Sequence, residues 1–348
     1  MRQLVQWNDR WHTVDMLKGV AIICVILSHV QLTVAQRYIL LAPFWMWMAV
    51  PVFMVLSGFN FAASIEKAHQ RPIEWFSAPF FMRKLSRFLY PFIIVEVMEC
   101  CWLLYLEVPW QNIIHNVLSG EYVPGGYYNS MLIQLVIIFP LLYAAMEHRP
   151  GMLWAAILAN LGYELICTLL EVSEAFYRLC ILRYLGAIAV GISLWQHRDM
   201  LMERRRENKS LLPEVMAIMG ILFLYATCYG GYQRVLFLRW HNTSLYSIPL
   251  AFGIICLTLR YETSITRLKL KISAPLRYLG KASYHVFLTQ MIYFNLPWSK
   301  AIYQRIEGAK FGVFLSVIID CVICVAVGCT FYQVMQIASG LRKPVLSK

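Results

Sequence analysis

The residues able to do chemistry are concentrated first in the run TVDMLKGVAIICVILSHVQLTVAQ, Thr13 to Gln36. About twenty mostly apolar residues in succession suffice to cross a bilayer as a helix. This run nevertheless holds Asp15, Lys18, Ser28 and His29. Asp15 and Lys18 stand three apart, which puts a carboxylate and an ammonium on one helical face. Lys18 and His29 stand eleven apart, so the direction returns to within roughly 20° about 16 Å further along the axis. One stripe thus carries an ion pair near a membrane surface and an imidazole deeper in. Polar groups in hydrocarbon are costly, so such a stripe is expected to face a protein interior or a wet cavity. An imidazole placed there can take the proton of an attacking hydroxyl or serve as the nucleophile itself. A structural reading stands beside this one: Asp15 pairs with Lys18 at the interface, and His29 bonds a neighbouring helix.

Further polar groups follow along the chain. The run FFMRKLSRFLYPF carries Arg83, Lys84 and Arg87. With Lys18 these could converge on one inner vestibule suited to an anionic nucleotide thioester, since Arg and Lys bind phosphate well. The same cluster could equally serve only to fix topology. Glu96 and Glu99 share a helical face, and they either line an acceptor path or bond neighbouring helices. Tyr127, Tyr128 and Asn129 follow a glycine turn, where they suit a sugar ring or an interfacial aromatic belt. Arg183 and Asp320 carry no motif, and His285 in SYHVF reads as packing. Nearly all of the ten cysteines fall in apolar runs, so no disulfide is expected. Cys321 and Cys324 form a CxxC without a second pair, and neither metal nor redox use is expected of it. Neither a serine-hydrolase elbow, an HExxH nor a P-loop is present.

The elements that must position these groups follow from composition. The 348 residues are 59% hydrophobic and 14% charged, against about 25% charged in soluble domains. A soluble domain with a polar skin is excluded. The fold class is all-α: a polytopic membrane protein with about ten spans in a single domain, residues 1–348. The spans are expected at about Thr13 to Gln36, Ile39 to Ala63, Phe88 to Leu106, Ser130 to Met146, Gly151 to Leu170, Leu179 to Trp195, Leu212 to Gly230, Leu245 to Leu259, Ala282 to Pro297 and Phe311 to Ile337. Pro51 is expected to bend the second, and Ser57-Gly58 marks a close-packing spot in it. Between spans three and four, PWQNIIHNVLSGEYVPGGYYN suggests an interfacial helix and then a Pro-Gly-Gly turn. No cleavable signal peptide is expected.

The net charge of +12 does not point to nucleic acid, because the charges sit in short loops between apolar runs. With a cytoplasmic N-terminus, the inner segments hold about 23 of the Lys and Arg residues and the outer ones about 8. The inner groups are Arg83-Lys84-Arg87, Arg149, Arg204-Arg205-Arg206 and Arg267-Lys269-Lys271. Both termini are therefore expected in the cytoplasm.

Five runs together resemble the acyltransferase 3 family: TVDMLKGVAIICVILSH, VPVFMVLSGFNF, FMRKLSRFLYPF, GGYYNSMLIQLVIIFPLL and LGKASYHVFLTQM. The resemblance extends over nearly the whole chain. In that family a basic residue followed by a histidine marks helix one, here Lys18 and His29. A basic pair opens helix three, here Lys84 and Arg87 with Arg83 adjacent, and a serine-glycine-aromatic turn corresponds to Ser57-Gly58-Phe59. The resemblance implies transfer of an acyl group, usually acetyl from acetyl-CoA, to a hydroxyl of a cell-surface polysaccharide, glycolipid or lipid-linked sugar. It implies His29 as the catalytic residue, with Asp15 orienting or charge-balancing Lys18. Lys18, Arg83, Lys84, Arg87 and Ser57 would hold the donor, and Glu96, Tyr128 and Gln290 would face the acceptor. Two positions depart from the pattern: Lys18 stands where arginine is common, and Gln290 where histidine often follows a tyrosine-leucine run.

Two other classes fit the same features. A transporter or flippase also carries intramembrane acids, a histidine and broken helices, although no inverted repeat is visible. An assembly partner of an exopolysaccharide machine with a degenerate site would show the same motifs. In every case the bilayer is the surrounding solvent, and the inner or plasma membrane is the expected location.

Overall fold

The computed structural model describes residues 8–67, 74–75, 78–120, 125–149, 151–198, 210–229, 245–260, 273–309 and 311–340, leaving aside the side chains of 8–11, 78–80, 83, 116 and 119. The side chain of Arg83, the basic groups Arg204 to Arg206, Arg267, Lys269 and Lys271, and Pro124 lie outside this set.

The described residues are helical and contain no strand. In chain order the helices are α1 (Asn8–His29), α2 (Val34–Ile39), α3 (Ala49–Lys67), α4 (Ala78–Tyr105), α5 (Trp110–Ser119), α6 (Tyr127–His148) and α7 (Met152–Leu169). They continue as α8 (Glu174–Leu179), α9 (Leu185–Gln196), α10 (Leu212–Cys228), α11 (Ile248–Arg260), α12 (Ser273–Asn295), α13 (Trp298–Ile306) and α14 (Gly312–Gly340). Short 3-10 turns at Ala42–Phe44, Ile181–Tyr184 and Leu245–Ser247 precede α3, α9 and α11.

Six helical stretches among the described residues are long and apolar enough to cross a membrane: His12–His29, Ala42–Lys67, Lys84–Tyr105, Tyr127–His148, Met152–Leu169 and Gly312–Gly340. Three shorter apolar stretches, Ile181–Gln196, Leu212–Cys228 and Leu245–Arg260, accompany them. The long α12 falls outside both groups, because it carries Arg277, Lys281 and a series of smaller polar residues. Outward-facing side chains such as Leu158, Leu222, Phe314 and Val322 are exposed and apolar, which suits contact with lipid chains.

Two expected features change in detail. The second span is not one helix bent at Pro51. A left-handed Leu41 and Pro43 at the start of a 3-10 turn break the chain first. Pro51 then falls in the opening turn of α3, where a missing N–H costs nothing. The third helix starts at Ala78, about ten residues before the expected span, so Lys84 and Arg87 ride on a helix rather than in a loop.

Between helices in lipid no hydrophobic driving force operates, so close packing of small residues decides which helices pair. A Cβ at Gly280 of α12 would collide with the Asp15 carbonyl oxygen of α1, and one at Gly19 with the Leu276 carbonyl oxygen. Further along, the His29 ring lies 6.2 Å from that of Phe294. Both helices advance by fourteen residues between the two contacts, so α1 and α12 run parallel in fixed register. Gly58 against Ile188 and Gly191 against Val55 join α3 and α9 in the same manner, and the bond from Trp195 Nε1 to Glu66 at 2.6 Å further along both helices makes them parallel. Gly328 against Val286 and Asp320 bonded to Tyr293 make α12 and α14 antiparallel.

The register rests on the bare α-carbon of Gly280. Gly280→Val is expected to lower stability by about 3 kcal/mol, at the upper end for overpacking because backbone and not a movable side chain blocks it. Gly162→Ala has open space at the new methyl and is expected to leave stability unchanged or raise it by about 0.5 kcal/mol. Thermal unfolding of both variants in detergent tests the contrast.

Candidate functional site

Within the apolar stretch His12–His29 of α1, Asp15 and Lys18 lie in the first half and His29 is the last residue. Asp15 and Lys18 form an ion pair at 2.5 Å, their side chains 14% and 21% exposed. A surface pair in water is worth little, but here each group is mostly shielded and neutralises its neighbour. His29 is the last residue of α1 and is half-buried. Ser28 Oγ donates to the Val25 carbonyl at 2.7 Å, so it serves its own helix. Arg37 of α2 donates to the Val30 carbonyl at 3.0 Å and is the cation in electrostatic range of His29. The ion pair and the imidazole are thus separated by the length of the α1–α12 seam.

The basic residues of α4 divide between two neighbourhoods. Lys84 Nζ donates to Ser64 Oγ of α3 and lies 5.2 Å from the ring centre of Trp75. Trp75 is fully buried and tilts against Phe61 and Phe139. Lys84 is in electrostatic range of Arg87. Arg87 is exposed, and both it and Asp15 act on the Tyr332 hydroxyl of α14. Of the groups expected to converge, Asp15, paired with Lys18, and Arg87 are in electrostatic range of the Tyr332 hydroxyl, while Lys84 is engaged with Ser64 and Trp75.

A second polar group lies where α3, α4, α6 and α12 meet. Ser57 is a hydrogen-bond partner of the Tyr128 hydroxyl, and the Tyr128 ring meets Phe287 edge-on at 5.0 Å. The Tyr284 hydroxyl shares its proton between the Phe88 carbonyl at 3.0 Å and Asn129 Oδ1 at 3.1 Å. Asn129 in turn donates to Met291 Sδ at 3.6 Å. Gln290 is fully buried. Gly125, at φ +91°, packs so close to Phe287 and Gln290 that a Cβ there would stand 3.0 Å from the ring and 3.9 Å from Gln290 Nε2. Glu96 is in electrostatic range of Tyr284, whereas Glu99, one turn further along α4, is almost fully buried.

Several groups have local explanations. Asp320 accepts from Tyr293 at 2.6 Å and Ser299 at 3.0 Å, which satisfies a carboxylate buried in α14. Arg183 is buried above the rings of Tyr177 and Tyr184, at 4.7 and 4.9 Å. Glu164 beside it accepts from the Tyr177 hydroxyl at 2.7 Å. His285 packs its ring on Phe331 and Tyr332.

Tyr284 is the central residue that sequence reasoning gave no role. Its signal was present in the run SYHVFLTQM: Tyr284, Phe287 and Met291 recur at helical spacing, and all three face α6. Ser64, Trp75 and Glu164 were also passed over, because their partners Lys84, Phe61, Phe139 and Tyr177 come from other elements.

A family model described as an acyltransferase domain, that of the acyltransferase 3 family, matches residues 11–333, nearly the whole chain. Neither a curated protein nor a solved structure gives a match. The chain belongs to the acyltransferase 3 family and is a multi-pass membrane acyltransferase.

The Tyr284 hydroxyl ties α12 to α4 and α6 at one point. Tyr284→Phe leaves the Phe88 carbonyl and Asn129 without it and is expected to cost about 1–3 kcal/mol. An SDS-unfolding titration of the purified protein measures the loss, while the helical content of the native state stays unchanged.

Proposed function

We propose that this membrane acyltransferase moves an acyl group, acetyl from acetyl-CoA, to a hydroxyl of a cell-surface polysaccharide, glycolipid or lipid-linked sugar. The observation that carries the reading is the α1–α12 seam: the Asp15–Lys18 pair, with Asp15 and Arg87 in electrostatic range of Tyr332, and an imidazole eleven residues beyond Lys18 at the end of the same helix. A thioester donor is charged at its nucleotide and neutral at its acyl end, which matches that polarity. The chain is read as one domain of ten spans with both termini in the cytoplasm, in the inner or plasma membrane. The parallel run of α1 and α12 and the antiparallel run of α12 and α14 support that topology.

In the proposed reaction, His29 takes the proton of the acceptor hydroxyl as its oxygen attacks the thioester carbonyl. The tetrahedral intermediate expels the CoA thiolate, and the imidazolium returns the proton to that sulfur. The new oxygen–carbon bond replaces the sulfur–carbon bond, and no net proton is gained or lost by the enzyme. Lys18, Arg83, Lys84 and Arg87 would hold donor phosphates, with Asp15 setting the position of Lys18 and Ser57 close to the donor. Tyr128, Gln290 and Glu96 would receive the acceptor. Gln290 cannot titrate, so it acts in this scheme as a hydrogen-bonding group alone.

Purified protein incubated with radiolabelled acetyl-CoA and an envelope extract is expected to release CoA and label an acceptor, whereas a transporter does neither. His29→Ala is expected to reduce transfer at least 100-fold, the low end of what a positioned acid–base group contributes. Folded His29→Ala protein with undiminished transfer would remove His29 from the mechanism. The double change Lys84→Gln with Arg87→Gln is expected to raise the KM for acetyl-CoA about tenfold while kcat changes little, consistent with loss of ground-state binding.

A further inference from the structure

The end of α12 beside Asp15 presents an aromatic and cationic surface that the transfer step itself does not require. Tyr278 is 37% exposed and meets the Tyr332 ring edge-on at 6.0 Å and 74°. Tyr332 is braced from behind by His285, at 5.3 Å and 65°, and His285 by Phe331 at 5.1 Å. One ring is thus open and the other is fixed by packing.

The surrounding charges are mostly positive. Arg277 and Lys281 lie on the same turn of α12 as Tyr278, one residue before it and three after, and residues three and four apart share a helix face. Lys281 is exposed, and Arg277 donates Nε to the Ser273 carbonyl at 3.3 Å, which holds its side chain along the helix. From α4, exposed Arg87 acts on the Tyr332 hydroxyl. The one carboxylate acting on that hydroxyl, Asp15, is neutralised by Lys18 at 2.5 Å.

We propose that Tyr278 and Tyr332, ringed by Arg277, Lys281 and Arg87, form a subsite for the purine and phosphates of the thioester donor's nucleotide end. This rests on the reading of the chain as an acyl-CoA-dependent transferase and adds to it the place where the nucleotide is recognised. Purine faces stack on aromatic rings, and guanidinium and ammonium groups grip phosphates. An interfacial belt would also combine tyrosine with basic residues. Here, however, the open ring of Tyr278, the exposed Lys281 and the exposed Arg87 in electrostatic range of Tyr332 gather around one aromatic pair, which favours a polyanionic ligand with a flat π face.

The test compares CoA with pantetheine, which lacks the nucleotide, by calorimetry on the purified full-length protein in detergent. The wild type is expected to bind CoA more tightly than pantetheine. Tyr278→Leu and Lys281→Gln are each expected to weaken CoA binding about fivefold to tenfold, the range for loss of one stacked ring or one phosphate contact. Pantetheine affinity should stay constant in both, which also shows that the variants are folded. An unchanged ratio of CoA to pantetheine affinity in both variants overturns the subsite while leaving the enzyme reading intact. Wild-type protein that binds neither compound overturns the donor assignment and the subsite with it. Weakened binding of dihexanoyl-phosphatidylglycerol with CoA affinity spared would make the surface a lipid-headgroup contact and overturn the subsite as well.

Discussion

The contact of α1 with α12 through two bare α-carbons governs the depth at which the polar groups of these two helices lie. Water provides no sorting force inside a bilayer, since a leucine side chain is as well accommodated by lipid as by another helix. What remains is dispersion, which rewards only surfaces that approach closely. Gly19 and Gly280 let two backbones touch, and the touch fixes both depth and rotation. Once Asp15 is level with Gly280, His29 must be level with Phe294. Tyr284 and Gln290 then fall between the two ends of α1 without any further choice.

A second constraint is the treatment of broken helices. Each break leaves backbone groups that lipid cannot satisfy, and side chains perform the task water would have done. Gln134 donates to the Leu179 carbonyl at 2.6 Å and accepts from the Ile181 N–H at 3.0 Å, closing the gap between α8 and the turn that precedes α9. Thr33 and Gln36 close a capping box at the start of α2, and Trp45 Nε1 donates to the Leu40 carbonyl at 2.8 Å. Tyr229 donates to the Tyr38 carbonyl at 2.8 Å from the far side of the chain. These polar residues are costly alone but each cancels a backbone cost of similar size, so their presence at depth does not by itself mark chemistry.

That equivalence sets what could be read from the sequence. The membrane class, the helical build and the family were legible because each depends on long patterns: apolar runs, loop charges and ordered motifs. The pairing of Asp15 with Lys18 was legible because helical spacing alone places the two side chains together. Helix ends were not. In the sequence Lys84 and Arg87 stand at the loop edge that opens helix three because charge and apolar run change at Phe88, yet their helix begins at Ala78, and the Lys84 stem runs beside buried Trp75. Pro51 was read as a bend because its distance from the first residue of α3 depends on Leu41 and Pro43 breaking the chain earlier. Tyr284, Asn129 and Trp75 acquire their partners only through tertiary contact, which no spacing along the chain encodes. Asp320 and Arg183 were equally opaque: one is satisfied by Tyr293 and Ser299, the other by stacked tyrosines, all remote from any motif.

The polarity of the seam then bears on how a charged donor could be used inside lipid at all. Carrying each phosphate of a nucleotide away from water would cost several kcal/mol even after relaxation, and nothing along α1 between Lys18 and His29 could offset it, for that stretch is apolar except Ser28, whose hydroxyl is committed to Val25. With the proposed donor, the phosphates therefore stay at the end where Lys18, Arg87 and Lys281 lie. Lys18 and His29 lie about 16 Å apart along the axis, and in the proposed reaction only the uncharged arm and the acyl thioester are suited to span that distance. Proton transfer at the far end between a hydroxyl, an imidazole and a thiolate creates no net charge there over the full cycle. Under the proposed reaction the fold keeps the donor's permanent charge at one membrane face and confines the chemistry at depth to groups that are neutral before and after it.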